Sequence, residues 1–193
     1  MSFLTGTSSE ILYSSVATGT QLNTFTTEDN LMKTLPYCII PAGFFYNSQG
    51  ATGKSLKVKA CGRLGTTGTP TFTFNIRLLT SSTWSAAGIG FASAAITAGS
   101  AVTLAPWFMD VEIIFRTLGT GAASTIACMG EVRGGTSLAA GGGIYSIPAA
   151  NTAFTATTYD NSVTNYLFLS AACGTSNASN LIQLEMLKVV GEN

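Results

Sequence analysis

Three observations predict an antiparallel all-β sandwich. Apolar and polar residues alternate with period two in the readable segments, clusters of Gly, Thr, Ser, Asn and Pro separate them, and no stretch has a helical or heptad period. The count is eight to eleven strands, the pattern of a sandwich or jelly roll. With 193 residues the chain is long enough for one domain with a substantial core.

The first strand candidates are short: residues 10–16, 20–26, 37–40 and 43–46. In residues 56–64, Leu56, Val58, Ala60 and Leu64 share one face while Lys57, Lys59 and Arg63 take the other. Residues 71–79 repeat the pattern, with Phe72, Phe74, Ile76 and Leu78 inward and Thr71, Thr73, Asn75 and Arg77 outward. The turn-like Gly65-Thr66-Thr67-Gly68-Thr69-Pro70 between them predicts a hairpin. Residues 109–118 alternate through Met109, Val111, Ile113 and Phe115, Gly119-Thr120-Gly121 breaks the run, and residues 124–133 resume through Ile126, Cys128 and Val132. A second hairpin is expected there. Residues 153–158 form another short candidate, and the β-rich runs 165–173 and 181–190, parted by Gly174-Thr175-Ser176-Asn177-Ala178-Ser179, predict a third hairpin.

Two segments read as long loops. Residues 82–106 carry no charge and are mainly Ala, Ser, Gly and Thr, with Trp84, Ile89, Phe91, Ile96, Val102 and Leu104 spaced through them. Their interruptions by Gly, Ser and Thr argue against a membrane span and for an insertion that packs on a neighbour or over one end of the sandwich. Residues 134–152 contain Gly141-Gly142-Gly143 and the anchors Ile144, Tyr145 and Ile147. Long loops are usually functional, and contacts between subunits are expected at both.

Composition narrows function by exclusion. Only 9% of residues are charged, against roughly 25% in an average soluble protein, and nine cations balance nine anions. A chain with no net charge has no long-range field for nucleic acid or an anionic membrane, and little self-repulsion to keep it apart from other copies. The absence of His removes the commonest acid-base group and metal ligand. Cys38, Cys61, Cys128 and Cys173 form no metal or redox spacing and read as reduced apolar residues. Met1-Ser2-Phe3-Leu4-Thr5-Gly6 has no basic region before an apolar one, so synthesis and retention in a cytoplasm until assembly or release are expected.

Few motifs suggest chemistry. Ser48-Gln49-Gly50-Ala51-Thr52-Gly53-Lys54-Ser55 resembles a phosphate-binding loop with Ser48 in place of its first glycine, but an alternating strand follows where a helix is required. Lys54, Lys57 and Lys59 are the densest cationic cluster and read as a solvated strand face. Asp110 and Glu112 lie two apart on one strand, a poor arrangement for glycoside hydrolysis, which needs carboxylates facing across a cleft. Glu28-Asp29 and Asp160-Asn161 read as turn and cap chemistry, without an acidic loop for calcium. Asn177-Ala178-Ser179 is a formal glycosylation acceptor read as chance, and Trp84 and Trp107 read as core or interface anchors rather than a sugar platform. No catalytic, metal or cofactor residues are assigned.

The order of segments resembles the jelly-roll structural proteins of tailed bacteriophages, a group including capsid decoration (cement) proteins and head or tail appendage domains. The resemblance runs from about Glu10 onward. Its carriers are Ile40-Pro41-Ala42-Gly43 leading to Leu56-Lys57-Val58-Lys59-Ala60-Cys61-Gly62, then Trp107 before Asp110-Val111-Glu112-Ile113, with Gly119-Thr120-Gly121 and Gly130 after it. Later come Thr157-Thr158-Tyr159-Asp160 before Tyr166-Leu167-Phe168-Leu169-Ser170-Ala171, and Asn180-Leu181-Ile182-Gln183-Leu184-Glu185. It implies a single jelly-roll (TNF-like) domain, placed at residues 21–193; residues 1–20 are polar and weakly patterned and are expected to form an N-terminal arm that reaches a neighbour or the capsid floor. It also implies a non-enzymatic virion protein, most simply a cement protein bridging capsomers as a homotrimer. The partners are further copies of itself and the major capsid protein or another virion protein, with no nucleic acid, membrane, small-molecule substrate or cofactor. The alternatives are a receptor- or glycan-binding tail fibre or spike domain, and a capsid-forming coat protein.

The remaining charges concentrate on strand faces, at Lys57, Lys59, Arg63, Arg77, Asp110, Glu112, Arg116, Glu131 and Arg133. Uncharged loops are expected where an assembly buries them.

Overall fold

A computed structural model describes residues 9–46, 54–119, 121–134, 143–150 and 152–192. Fourteen strands are formed among them: β1 (Ser9–Ser15), β2 (Leu22–Asn23), β3 (Asp29–Asn30), β4 (Cys38–Ile40), β5 (Ser55–Gly65), β6 (Thr71–Leu79), β7 (Ile89–Ala92), β8 (Ile96–Thr97), β9 (Ala105–Thr117), β10 (Ser124–Arg133), β11 (Ile144–Ile147), β12 (Thr155–Tyr159), β13 (Asn165–Cys173) and β14 (Leu181–Glu192). The count exceeds eleven because short pieces such as β2, β3 and β8 pair with the ends of longer strands.

The larger sheet runs β1-β14-β5-β9-β10-β11, with β12 also on β10 and β2 on β14. The smaller runs β3-β13-β6-β7, with β4 also on β13 and β8 on β6. The chain crosses repeatedly between the sheets, and its first strand pairs with its last. That winding, with β1-β14-β5-β9 facing β3-β13-β6-β7, is a jelly roll, into which β10, β11 and β12 are inserted as an extension of the larger sheet.

The alternation read from sequence places the core correctly. Leu56, Val58, Ala60 and Leu64 of β5 and Phe72, Phe74, Ile76 and Leu78 of β6 are buried between the sheets, as are Met109, Val111, Ile113 and Phe115 of β9. At one end Phe45 stacks on Phe115, with ring centroids 3.9 Å apart, and Tyr159 meets both edge-on. Deeper in, Trp107 is fully buried with its ring 5.1 Å from Phe74. It lies over Gly62, its cross-strand partner, and a Cβ at Gly62 would collide with the indole and with the Gln183 carbonyl.

Two of the three expected hairpins are not hairpins. β5 pairs with β14 and β9, while β6 pairs with β13, β7 and β8, so residues 65–70 carry the chain from one sheet to the other. β13 and β14 are likewise in different sheets. Period-two patterning reports which face is buried and not which strand lies alongside, and a short turn-rich loop also spans the ~10 Å between packed sheets. The β9–β10 hairpin forms as expected.

Residues 82–106 are more ordered than a loop. They contain β7 and β8, whose Phe91 and Ile96 enter the core as β6 gains partners. Residues 134–152 contain β11, while 135–142 and 151 lie outside the described residues. Residues 43–46 form a turn rather than a strand, with Gly43 at φ 71°. The segment expected to be an arm divides: Ser9–Ser15 belongs to the larger sheet beside β14, and residues 1–8 lie outside the described residues.

Candidate functional site

The two outer faces of the sandwich differ chemically. On the larger sheet the charges pair across strands: Lys57 Nζ lies 2.6 Å from Glu192, Lys59 Nζ 3.0 Å from Asp110, and Arg63 Nε 3.1 Å from Glu185. Asp110 and Glu112 each oppose a lysine of β5, which makes them members of a surface ladder. Exposed pairs of this kind add little stability and set register and solubility.

The outer face of the smaller sheet is aromatic. Tyr37 meets Tyr166 edge-on at 6.0 Å, Ile39 sits opposite Tyr166, and Trp84 covers Phe168 at 5.6 Å. Trp84 and Trp107 are therefore not brought together, since one caps this face and the other lies in the core. Beneath the cover is an ion pair. Arg77 donates from Nε to Glu28 Oε1 at 2.8 Å and from Nη2 to Glu28 Oε2 at 2.5 Å, and Ser170 Oγ donates to Oε1 at 2.6 Å. Both side chains are largely buried, and the guanidinium also donates to the Gly88 carbonyl at 3.0 Å. Burial alone would push the Glu28 carboxyl up, but the hydrogen bonds from Arg77 and Ser170 and the Arg77 charge outweigh it and hold the carboxyl below its ordinary range. In the sequence Glu28 reads as turn chemistry, because its partner lies 49 residues away. Asp29 does act locally, accepting from the Asn30 amide at 2.8 Å and pairing with Lys33 at 2.6 Å.

The remaining candidates resolve as follows. Residues 48–53 lie outside the described residues; Lys54 Nζ sits 4.7 Å above the Phe44 ring, and Ser55 opens β5 with no helix following. Asp160 Oδ1 accepts from the Ser162 amide at 2.9 Å and from its hydroxyl. Asn161 is buried, its carbonyl accepting from the Gly43 amide at 2.7 Å. Asn177 Oδ1 accepts from the Ser179 amide at 2.8 Å. Among the described residues no group of three His, Cys, Asp or Glu side chains is placed to hold a metal, and no helix is long and apolar enough to cross a membrane.

All four cysteines are free. Burial pushes the thiols of Cys38 and Cys128 up to about 12, and Cys61, which faces outward on β5, is raised by burial and by Glu185. Ellman's reagent is expected to modify Cys61 first, and Cys38 and Cys128 only on unfolding. Rapid modification of all four in the native protein would contradict this packing.

The described grooves are open. In the larger sheet β12 covers β10 from Ser124 to Ala127 and β11 covers it from Gly130 to Arg133. A notch remains at Cys128 and Met129, crossed by a 2.8 Å bond from the Cys128 amide to the Phe154 carbonyl. Met129, Pro148 and Phe154 line an apolar groove of ≈ 350 Å³ there. A more polar groove of ≈ 280 Å³ gathers Ser85, Thr158, Asp160 and Asn165 beside the loop that carries Trp84.

No family model matches this chain, and no curated protein matches it either. A solved structure, the CBM2 module of the evolved Dit of Lactobacillus casei BL23 phage J-1, aligns over 95% of this chain and 96% of its own, at 14% identity and a TM-score of 0.35. That likeness is too low for any property of the module to be carried over.

Proposed function

We propose that this protein is a structural component of a bacteriophage virion, a capsid decoration (cement) protein that bridges capsomers and stabilises the head as a homotrimer. The observation that carries the proposal is the division of its surface. Charges pair across strands on one sheet face, at Lys57–Glu192, Lys59–Asp110 and Arg63–Glu185, while large apolar side chains stay exposed within that face at Phe108, at the edges of the sheet at Ile11, Val16, Met129, Ile144 and Phe154, and on the opposite face at Tyr37 and Ile39. Exposed apolar groups on a well-packed scaffold mark surfaces that other proteins cover. The jelly-roll winding and the sequence resemblance to phage structural proteins support the same reading, as does the lack of net charge.

Its action would be binding rather than catalysis. Each copy contacts its neighbours and the major capsid protein, and three-fold repetition turns modest contacts into avidity. The purified protein is expected to run as a trimer in native mass spectrometry and to co-sediment with expanded capsids. A stable monomer that never binds them would overturn the proposal.

A second reading, glycan or receptor binding on a tail fibre or spike, is favoured by one feature, the polar groove of Ser85, Thr158, Asp160 and Asn165. Glycan-array binding that Asp160→Asn abolishes would favour it over the cement role.

A further inference from the structure

Asp160 carries a charge that no described cation answers. Glu28, Asp29, Asp110, Glu131, Glu185 and Glu192 each face a lysine or arginine, whereas among the described residues Asp160 takes part in no ion pair. Glu10 and Glu112 share that lack but stand on strands of the larger sheet, while Asp160 lines the polar groove of ≈ 280 Å³. Its carboxylate is already oriented. Oδ1 accepts from the Ser162 amide at 2.9 Å and from the Ser162 hydroxyl, which leaves Oδ2 without a donor among the described residues. Asn165, also in the groove wall, is only 3% exposed, and its Nδ2 donates to the Asp160 carbonyl at 2.8 Å and the Val163 carbonyl at 2.9 Å. With both amide hydrogens committed, Oδ1 is what Asn165 offers the groove.

Two acceptors, one of them charged, are matched by a cationic donor. Arg77 does not supply it. Its guanidinium reaches the groove at Gly88 but is engaged by Glu28 and by the Gly88 carbonyl. Leu79, Ala87 and Ile89 add apolar surface to the same groove. A lysine fits both parts, since its aliphatic stem lies along apolar surface while its ammonium offers three donors. An arginine fits less well, because its planar fork matches a carboxylate with both oxygens free, and Ser162 already occupies one. The volume is below the usual range of small-molecule sites and suits one side chain better than an oligosaccharide.

We propose that this groove receives a lysine side chain presented by a partner protein, with the ammonium on Asp160 and Asn165 and the stem along Leu79, Ala87 and Ile89. This rests on the proposed function in which other virion proteins cover this one, and it names the chemistry of one contact. The Ser162 and Asn165 hydrogen bonds hold the acceptors in place before the lysine arrives, which lowers the ordering cost of the contact.

Amide NMR of the full chain titrated with the peptide acetyl-Gly-Lys-Gly-amide tests the contact. Saturable shifts are expected at Thr158, Asp160 and Asn165, and added salt should weaken them. Asp160→Asn keeps a side-chain oxygen for the Ser162 turn and is expected to weaken the peptide on the order of 10-fold. With the unaltered protein, acetylating the lysine of the peptide should lose as much, and replacing it with arginine should lose part. Equal binding of the acetylated peptide, or no shift at these residues, would overturn the proposal. So would shifts there from a neutral saccharide such as maltose in the absence of any from the lysine peptide. Binding of the peptide by a protein that never binds expanded capsids would overturn the cement role and leave this contact standing. Decoration of capsids without any response to the peptide would do the reverse.

Discussion

Trp107→Ala is expected to lower the free energy of unfolding by about 4 kcal/mol. The ring is fully buried on β9, between Phe74 of the smaller sheet and Gly62 of β5, so its loss leaves a cavity where the two sheets meet. Trp107→Phe should cost less, because it retains an aromatic ring against Phe74 and removes an indole N–H that has no hydrogen-bond partner among the described residues. Gly62→Val approaches the same contact from the other strand and is expected to be strongly destabilising, since the added side chain meets the ring and the Gln183 carbonyl. Urea unfolding of the three variants measures the order. An alanine variant as stable as wild type would mean that the ring does not join the sheets.

Breaking the ion pair under the aromatic face is the other large effect. Arg77→Met leaves the Glu28 carboxylate buried without its partner and is expected to cost about 3 kcal/mol. Adding Glu28→Gln should recover part of that loss, because the stranded charge is gone, so the two substitutions will not be additive. The pair also makes stability depend on pH. The carboxyl is held below its ordinary value of 4.5, so its contribution is complete above that value and is lost as pH falls through the lower folded value. Glu28→Gln should flatten this acid limb in thermal melts between about pH 5 and pH 2. An unchanged acid limb would show that Glu28 contributes nothing to it.

The parts of the fold that can be read from sequence are those that depend on one strand alone. The inward residues of β5, β6, β9 and β10 alternate, and each is buried where alternation placed it. Pairing partners are another matter. The ladder of β5 joins residues near 60 to residues near 185, and neither segment contains information about the other. Hence residues 71–79 looked like the partner of 56–64 although the two lie in opposite sheets. Within residues 82–106 the β7 and β8 runs are too short for alternation to stand out, and pairing with β6 orders them.

The surface follows the same division. That charge gathers on strand faces is visible in the sequence, and the cross-strand pairs of Lys57 and Lys59 are consistent with it. Glu28 and Arg77 meet only because the chain passes over the smaller sheet, and Lys57 and Glu192 meet only because β5 lies beside β14. Such relations are properties of the assembled sheet.

Cryo-electron microscopy of an assembly that carries this chain tests the proposed role most directly. The account predicts three jelly rolls around each local three-fold position on the capsid surface. Density for a single copy at the tip of a fibre, or a capsid surface without density for the chain, would contradict it.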